Sequence, residues 1–257
     1  MLKSTSDLRG LAITAVDGAI GDVETYYFDD ATWTIRYLVV NTGSWLESKQ
    51  VLISPLSIRQ VDVITNQIYV DLTMKQVKNS PNIDTHKPVS RQQETKFLDH
   101  YGYPYYWGGP FLWGAAAAPA MAAAAPMPAR QTAAELQTGR VERDPADARL
   151  RSTTEITGYH IQATDGEIGH VEDFIVDEET WAVRYLVIDT SNWWFGKKVL
   201  ISPQWIESIS WTESKVVVDL RQEEIKNSPE YDKENLVTRE YETSLHRHYN
   251  RKGYWSD

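Results

Sequence analysis

Cysteine is absent from all 257 residues. That excludes disulfide frameworks, thiolate zinc sites and cysteine nucleophiles together. Positive charge is scarce: 26 Lys and Arg face 36 Asp and Glu, a formal net charge of −10. Such a balance disfavours a nucleic-acid backbone or an anionic membrane surface as the default partner. No G-x-S-x-G, Walker loop or H-E-x-x-H occurs, so the familiar hydrolase, nucleotide and metalloprotease signatures contribute no catalytic residues. The opening MLKSTSDLRG lacks the apolar run of a signal peptide. The apolar stretch from Phe111 to Ala129 is mostly alanine and is broken by Pro119, Pro126 and Pro128, which favours a linker over a membrane span. What the chain does have is 42% apolar residues with 10 Trp and 14 Tyr, too much core-forming material for wholesale disorder.

An internal repeat organises this material. DGAIGDVETYYFDDATWTIRYLVVNT from Asp17 lies over DGEIGHVEDFIVDEETWAVRYLVIDT from Asp165, an offset of 148 residues. The match continues through VLISP at Val51 and Val199, KNSP at Lys78 and Lys226, and Tyr-Trp at Tyr106 and Tyr254. From Ser4 to Trp107, about 43 of 104 aligned positions are identical without a gap. A period this long means two copies of a small domain. The expected division is residues 1–107, an Ala/Pro-rich linker over 108–149, and residues 150–257. The linker's composition suggests no packed core, a flexible reach on the order of 35–40 Å and a short helical turn over Gln131–Leu136. Charge is uneven: residues 1–107 carry 10 basic against 12 acidic side chains, and residues 150–257 carry 12 against 20. The copies share a frame and present different surfaces.

Each copy has the periodicity of strands. Leu11–Val16 and Ile20–Phe28 flank Asp17-Gly18, a dipeptide suited to a tight hairpin turn. Trp33–Thr42 is apolar on both faces, as in a strand buried on both sides. Lys49–Ile53, Ile58–Ile64 and Gln67–Leu72 bring the total to about six short strands, and Pro55 ends one of them. Many short strands with local turns suggest a small β-barrel. Ser90 with Gln93 three residues on forms a capping box for a helix from about Arg91 to His100. Thr238 repeats the cap, but Tyr241 leaves that box incomplete. Aromatic tails follow, YGYPYYW ending at Trp107 and HRHYNRKGYW ending at Trp255. A barrel of about 70 residues is marginal alone, so a docking tail is physically sensible.

DGAIGDVETYYFD with IRYLVV, DGEIGHVEDFIVD with VRYLVID, and the VLISP after each together resemble the PRC-barrel family. The resemblance covers about residues 4–75 and 152–223 and implies a mainly β fold: two small antiparallel PRC-type β-barrels, each followed by a short helical and aromatic tail. The family fold occurs in the cytoplasmic domain of the photosynthetic reaction-centre H subunit and in the C-terminal domain of a ribosome-maturation factor. It therefore implies an adaptor, with no catalytic residues and no cofactor carried over.

Single residues allow two readings each. Asp17, Gly18 and Gly21, with Asp165, Gly166 and Gly169, form D-G-x-x-G; turn geometry explains this better than a phosphate or cation loop. His246 and His248 are two apart and fall on different faces of a helix, while His100 and His248 repeat, which favours tail docking over a metal. Asp29-Asp30 and Asp177-Glu178-Glu179 read as solvated turns, not as an acid–base pair. Arg36 and Arg184, amid apolar neighbours, read as structural arginines pairing with a carboxylate on an adjacent strand. The loop after the long strand is the candidate partner-binding surface: Trp45 and Leu46 in copy one, and Trp193, Trp194, Phe195, Lys197 and Lys198 in copy two. Loop aromatics are favoured anchors in protein interfaces; the competing reading is that they cap the barrel's open end or receive the aromatic tail, and Trp45 and Trp193 are expected to pack internally.

The expectation is thus a non-catalytic, cytoplasmic interaction or scaffolding module with a protein partner. Its finer form docks at the inner-membrane face of a reaction-centre-like complex, and the two barrels can pack together or mediate homo-oligomers. The alternatives are a ribosome- or RNA-processing adaptor acting through a ribosomal protein, and a small-ligand-binding barrel. Direct nucleic-acid contact is not expected, because copy two carries a net charge of −8.

Overall fold

A computed structural model describes residues 1–82, 88–124, 148–190 and 196–256. Copy one runs β1 (Leu2–Ser4), α1 (Thr5–Leu8), β2 (Ala12–Ala15), β3 (Gly18–Asp29), β4 (Thr34–Asn41), β5 (Gln50–Ile53), β6 (Ile58–Asp62), β7 (Gln67–Val70), α2 (Met74–Lys78), β8 (Val89–Ser90) and α3 (Arg91–Tyr101). After α4 (Pro119–Ala124), copy two runs β9 (Ala148–Ser152), α5 (Thr153–Ile156), β10 (His160–Ala163), β11 (Gly166–Asp177), β12 (Val183–Asp189), β13 (Lys198–Ile201), β14 (Ile206–Ser210), β15 (Lys215–Val218), α6 (Gln222–Lys226) and α7 (Arg239–His248).

The chain forms two compact units. The first-copy unit contains Leu8–Thr153 with Glu179–Ala182; the second-copy unit contains Met1–Asp7, Thr154–Glu178 and Val183–Asp257. The first strand of each copy therefore belongs to the unit built on the other. β1 pairs antiparallel with β11, Leu2 opposite Asp177 and Ser4 opposite Ile175. β9 pairs antiparallel with β3, Leu150 opposite Asp29 and Ser152 opposite Tyr27.

In the first-copy unit the hydrogen-bonded order is β5-β4-β3-β2-β7-β6, and in the second-copy unit β13-β12-β11-β10-β15-β14. Neighbours along both paths are antiparallel except β2–β7 and β10–β15, which are parallel. β7 and β15 reach those positions after the chain has turned round the sheet, so they arrive in the same sense as β2 and β10. The two ends of each path, β5 and β6, are consecutive in sequence. Four residues, Ser54–Ser57, join them, with Pro55 opening a short 3-10 turn that Ser54 caps through Leu56 N at 3.3 Å. The ladder stays open at this corner while the chain bridges it, so each unit is barrel-like. Register shifts between Val23 and Thr25 in β3, and between Val171 and Asp173 in β11, mark bulges at matching places. They let one 12-residue strand bend from one neighbour to the next.

β4 is buried at every position but Asn41, as its two-sided apolar pattern requires. The first-copy core gathers Tyr27, Tyr37, Val39 and Leu52 from the sheet with Val89, Phe97 and Leu150. α3 starts with the full Ser90/Gln93 capping box and ends at Gly102 in the left-handed conformation. α7 has only the Thr238 cap, donated to by Tyr241 N at 3.3 Å.

The Ala/Pro-rich stretch differs from its compositional reading over residues 111–124. Trp113, Ala116, Ala118 and Ala122 are buried there, and Trp113 Nε1 donates to Thr180 O at 2.8 Å within the first-copy unit. Small alanine side chains let this backbone approach closely once one tryptophan anchors it. The helical turn expected at Gln131–Leu136 lies outside the described residues.

Candidate interaction site

The loop after the long strand closes on the same clamp in both copies. Thr42 Oγ1 donates to Lys49 O at 2.7 Å, and Thr190 Oγ1 donates to Lys197 O at 2.7 Å. A threonine at the end of an apolar strand thus ties the neck and leaves the crown to its own sequence. In copy one the crown is a 3-10 turn over Gly43–Leu46, followed by Glu47 and Ser48 in the left-handed region. Trp45 Nε1 donates to Ile20 O at 2.5 Å, which ties its half-buried ring to β3. Leu46 is half-buried beside it. In copy two, Lys197 Nζ donates to Ser228 O, and Lys198 Nζ pairs with Glu172 at 2.6 Å. Both lysines are therefore engaged inside their own unit. Trp193, Trp194 and Phe195 lie outside the described residues.

The D-G-x-x-G residues sit at the β2–β3 and β10–β11 turns and do more than turn the chain. Asp17 Oδ1 accepts from Met74 N at 2.8 Å, and Asp165 Oδ1 accepts from Gln222 N at 2.8 Å, so each aspartate receives the first amide of a one-turn helix. A Cβ on Gly18 would fall 2.6 Å from Met74 Sδ, and one on Gly166 would fall 2.6 Å from Gln222 Nε2. At Gly21 and Gly169 a Cβ would meet Asn41 O at 1.9 Å and Asp189 O at 2.2 Å. Those glycines are needed for close approach of neighbouring strands. The helix that Asp17 serves carries its own signal, Thr73 with Gln76 as a complete capping box, which the strand-centred reading of this segment passed over.

A second cluster, at the barrel–tail junction, uses residues that repeat. Arg91, Glu94, Tyr106 and Trp107 of copy one correspond to Arg239, Glu242, Tyr254 and Trp255 of copy two. Around Arg36, Tyr106 stacks 3.7 Å and Trp113 4.8 Å from the guanidinium carbon. Nη1 donates to Leu112 O at 2.7 Å and Nη2 to Thr32 Oγ1 at 3.2 Å. The carboxylate expected as the partner of Arg36 is replaced by a carbonyl. Arg184 keeps the expected partner, Asp177, on the adjacent strand at 2.9 Å.

Asp29 corrects the solvated-turn reading: it is buried and accepts from Ala31 N at 3.0 Å and Thr32 N at 3.1 Å. Arg91 lies 3.9 Å from Asp29 and 2.9 Å from Glu94. Tyr106 also donates to Glu94. Burial pushes the Glu94 carboxyl up to about 7, with Arg91 and the Tyr106 hydrogen bond pulling against it. In copy two, Glu242 Oε1 accepts from Tyr185 and Tyr254 hydroxyls, both at 2.9 Å. His246 sits 3.0 Å from Tyr185 Oη between Trp205 and Trp255, and burial lowers its pKa. His100 and His248 each place Nε2 on a one-turn-helix carbonyl, Gln76 O at 2.9 Å and Glu224 O at 2.8 Å. The repeated histidines thus bind tail to barrel.

Among the described residues no group of three or more His, Asp or Glu side chains could hold a metal ion. Among them, too, no helix is long and apolar enough to cross a membrane.

Two bulged, barrel-like sheets, of eight strands in the first-copy unit and seven in the second, with docked aromatic tails define a tandem small-barrel protein. The PRC-barrel domain family matches residues 2–77 and again residues 150–225. With more than half its length matched, the chain belongs to the PRC-barrel domain family. No curated protein matches it.

Proposed function

We propose that this chain is a non-catalytic interaction or scaffolding module, with copy two the main partner-binding half. PRC-barrel domains are typically interaction modules, which supports the general reading. The observation that carries the finer one is the loop itself: an identical threonine neck bears GSWLES in copy one and SNWWFG in copy two. A shared frame with a divergent, more aromatic crown is how one barrel gains a contact the other lacks. In its finer form the proposal places the protein in a bacterial-type cytoplasm, docked on the membrane face of a photosynthetic reaction-centre-like complex.

The test is a tagged pull-down from soluble and membrane fractions kept separate, comparing the native chain with Trp194→Ala plus Phe195→Ala. The expected outcome is a membrane-complex subunit recovered by the native chain and lost by the variant, with unchanged circular dichroism. Identical partners for both chains would overturn the role of this loop. Recovery of ribosomal proteins would favour the ribosome-adaptor reading instead.

A further inference from the structure

Each barrel is finished by a strand from the other copy, and both docking sites are built alike. The arm of copy one reads Leu-Lys-Ser-Thr-Ser-Asp from Leu2, and that of copy two Leu-Arg-Ser-Thr-Thr-Glu from Leu150. On β11, Ser4 and Thr5 hydroxyls donate to the Asp173 carboxylate, Thr5 at 2.5 Å. Glu178 N donates to Met1 O at 3.0 Å. On β3, Thr25, the counterpart of Asp173, lies 3.3 Å from Ser152 Oγ and 3.2 Å from Thr153 Oγ1. Asp30 N donates to Arg149 O at 3.1 Å, the counterpart of the Glu178 contact by position. Leu150 is fully buried in the first-copy core. The two acceptor edges thus each hold the Ser-Thr pair of arms that share one sequence pattern: a leucine, a cation, then Ser-Thr followed by a hydroxyl and an acid.

This is strand addition to a sheet edge, in which main-chain bonds give affinity and alternate side chains give specificity. Nothing in the acceptor distinguishes an arm of the same chain from an identical arm of another. Exchange of an identical element between protomers keeps every contact and is a low-cost route to dimers. We propose that the Asp173–Glu178 edge of β11 is an interaction surface whose partner is the Leu2–Asp7 arm of a second copy of this chain, giving an arm-exchanged dimer. The competing occupant is the chain's own arm, which covalent attachment favours at low protein concentration. Exchange is therefore governed by protein concentration and by any condition that releases the arm. This inference stands apart from the loop proposal above: it concerns another surface and survives if that loop binds nothing.

Because the chain has no cysteine, any disulfide reports an introduced pair. Lys3 and Val176 are register partners, and facing residues of antiparallel strands have the Cα separation a disulfide needs. The double variant Lys3→Cys/Val176→Cys should form an intrachain link in dilute solution. Single variants Lys3→Cys and Val176→Cys, mixed from about 10 μM to 1 mM and briefly warmed to release the arms, should form an interchain 3–176 link whose yield rises at least tenfold over that range. Native mass spectrometry of mixed unlabelled and isotope-labelled native chains gives a second readout, independent of the substitutions: mixed-mass dimers appearing after the same treatment. The absence of both the interchain link and mixed dimers at every concentration would overturn the proposal. So would failure of the double variant, folded by circular dichroism, to link within the chain.

Discussion

Arg36 and Arg184 start from equivalent places on equivalent strands, and they reach different partners. In the first-copy unit the packed segment around Trp113 covers Arg36, which gives up a carboxylate for Leu112 O and two aromatic faces. Asp29 then turns inward to the amides of its own turn, and Glu94 is left as a wholly buried carboxyl beside Arg91. In the second-copy unit Arg184 keeps Asp177 and stacks 3.9 Å from Tyr254. There two tyrosine hydroxyls meet Glu242, while its arginine partner, Arg239, stays about half exposed at 51%. The same residue types therefore make a dry, charge-dense junction in one unit and a hydrogen-bonded, partly solvated one in the other. A repeated motif specifies where the polar groups sit; the segment laid over them decides how they pair.

The largest difference between the two units lies in the arms. Leu150 is fully buried among aromatic residues, whereas its counterpart Leu2 is only half-buried. Leu150→Ala should cost about 2–5 kcal/mol, the range for a buried leucine leaving a cavity, and Leu2→Ala distinctly less. Urea unfolding followed by hydrogen exchange would place the Leu150 loss in β3 and β4, although the substitution is in copy two. Equal costs for the two leucines would break the asymmetry.

A somewhat smaller effect should appear on changing pH. Glu94 rises from an ordinary 4.5 to about 7 in the folded chain, so the folded state holds a proton there that the unfolded state releases. Its contribution to stability is complete below about pH 4.5 and is lost as pH climbs through about 7, on the order of 3 kcal/mol. Glu94→Gln should flatten that part of the stability–pH curve, measured as the urea midpoint from pH 4 to 8. A slope unchanged by the substitution would show that folding does not raise the Glu94 pKa.

Local features were readable because local chemistry dictates them. The Asp17-Gly18 turn, the break at Pro55 and the Ser90/Gln93 capping box follow from which side chains reach which backbone groups. The long strand buried on both faces follows from its unbroken apolar run. Pairings at a distance were not readable for equally physical reasons. Ser-Thr at Ser4 and at Ser152 are alike, so nothing in either arm says which barrel it completes. Alanine composition hides the anchoring of Trp113, and with it the carbonyl partner of Arg36. The service of Asp17 to the helix at Met74 spans 57 residues, beyond any local pattern.

Each copy's first strand completes the other copy's barrel. Deleting Met1–Asp7 from the otherwise full chain and following amide hydrogen exchange by mass spectrometry tests it most directly. Protection should fall in β11 around Ile175–Asp177 and persist in β3 around Tyr27–Asp29. Loss of protection in β3, with β11 unchanged, would mean that the arm serves its own copy and would contradict the exchange.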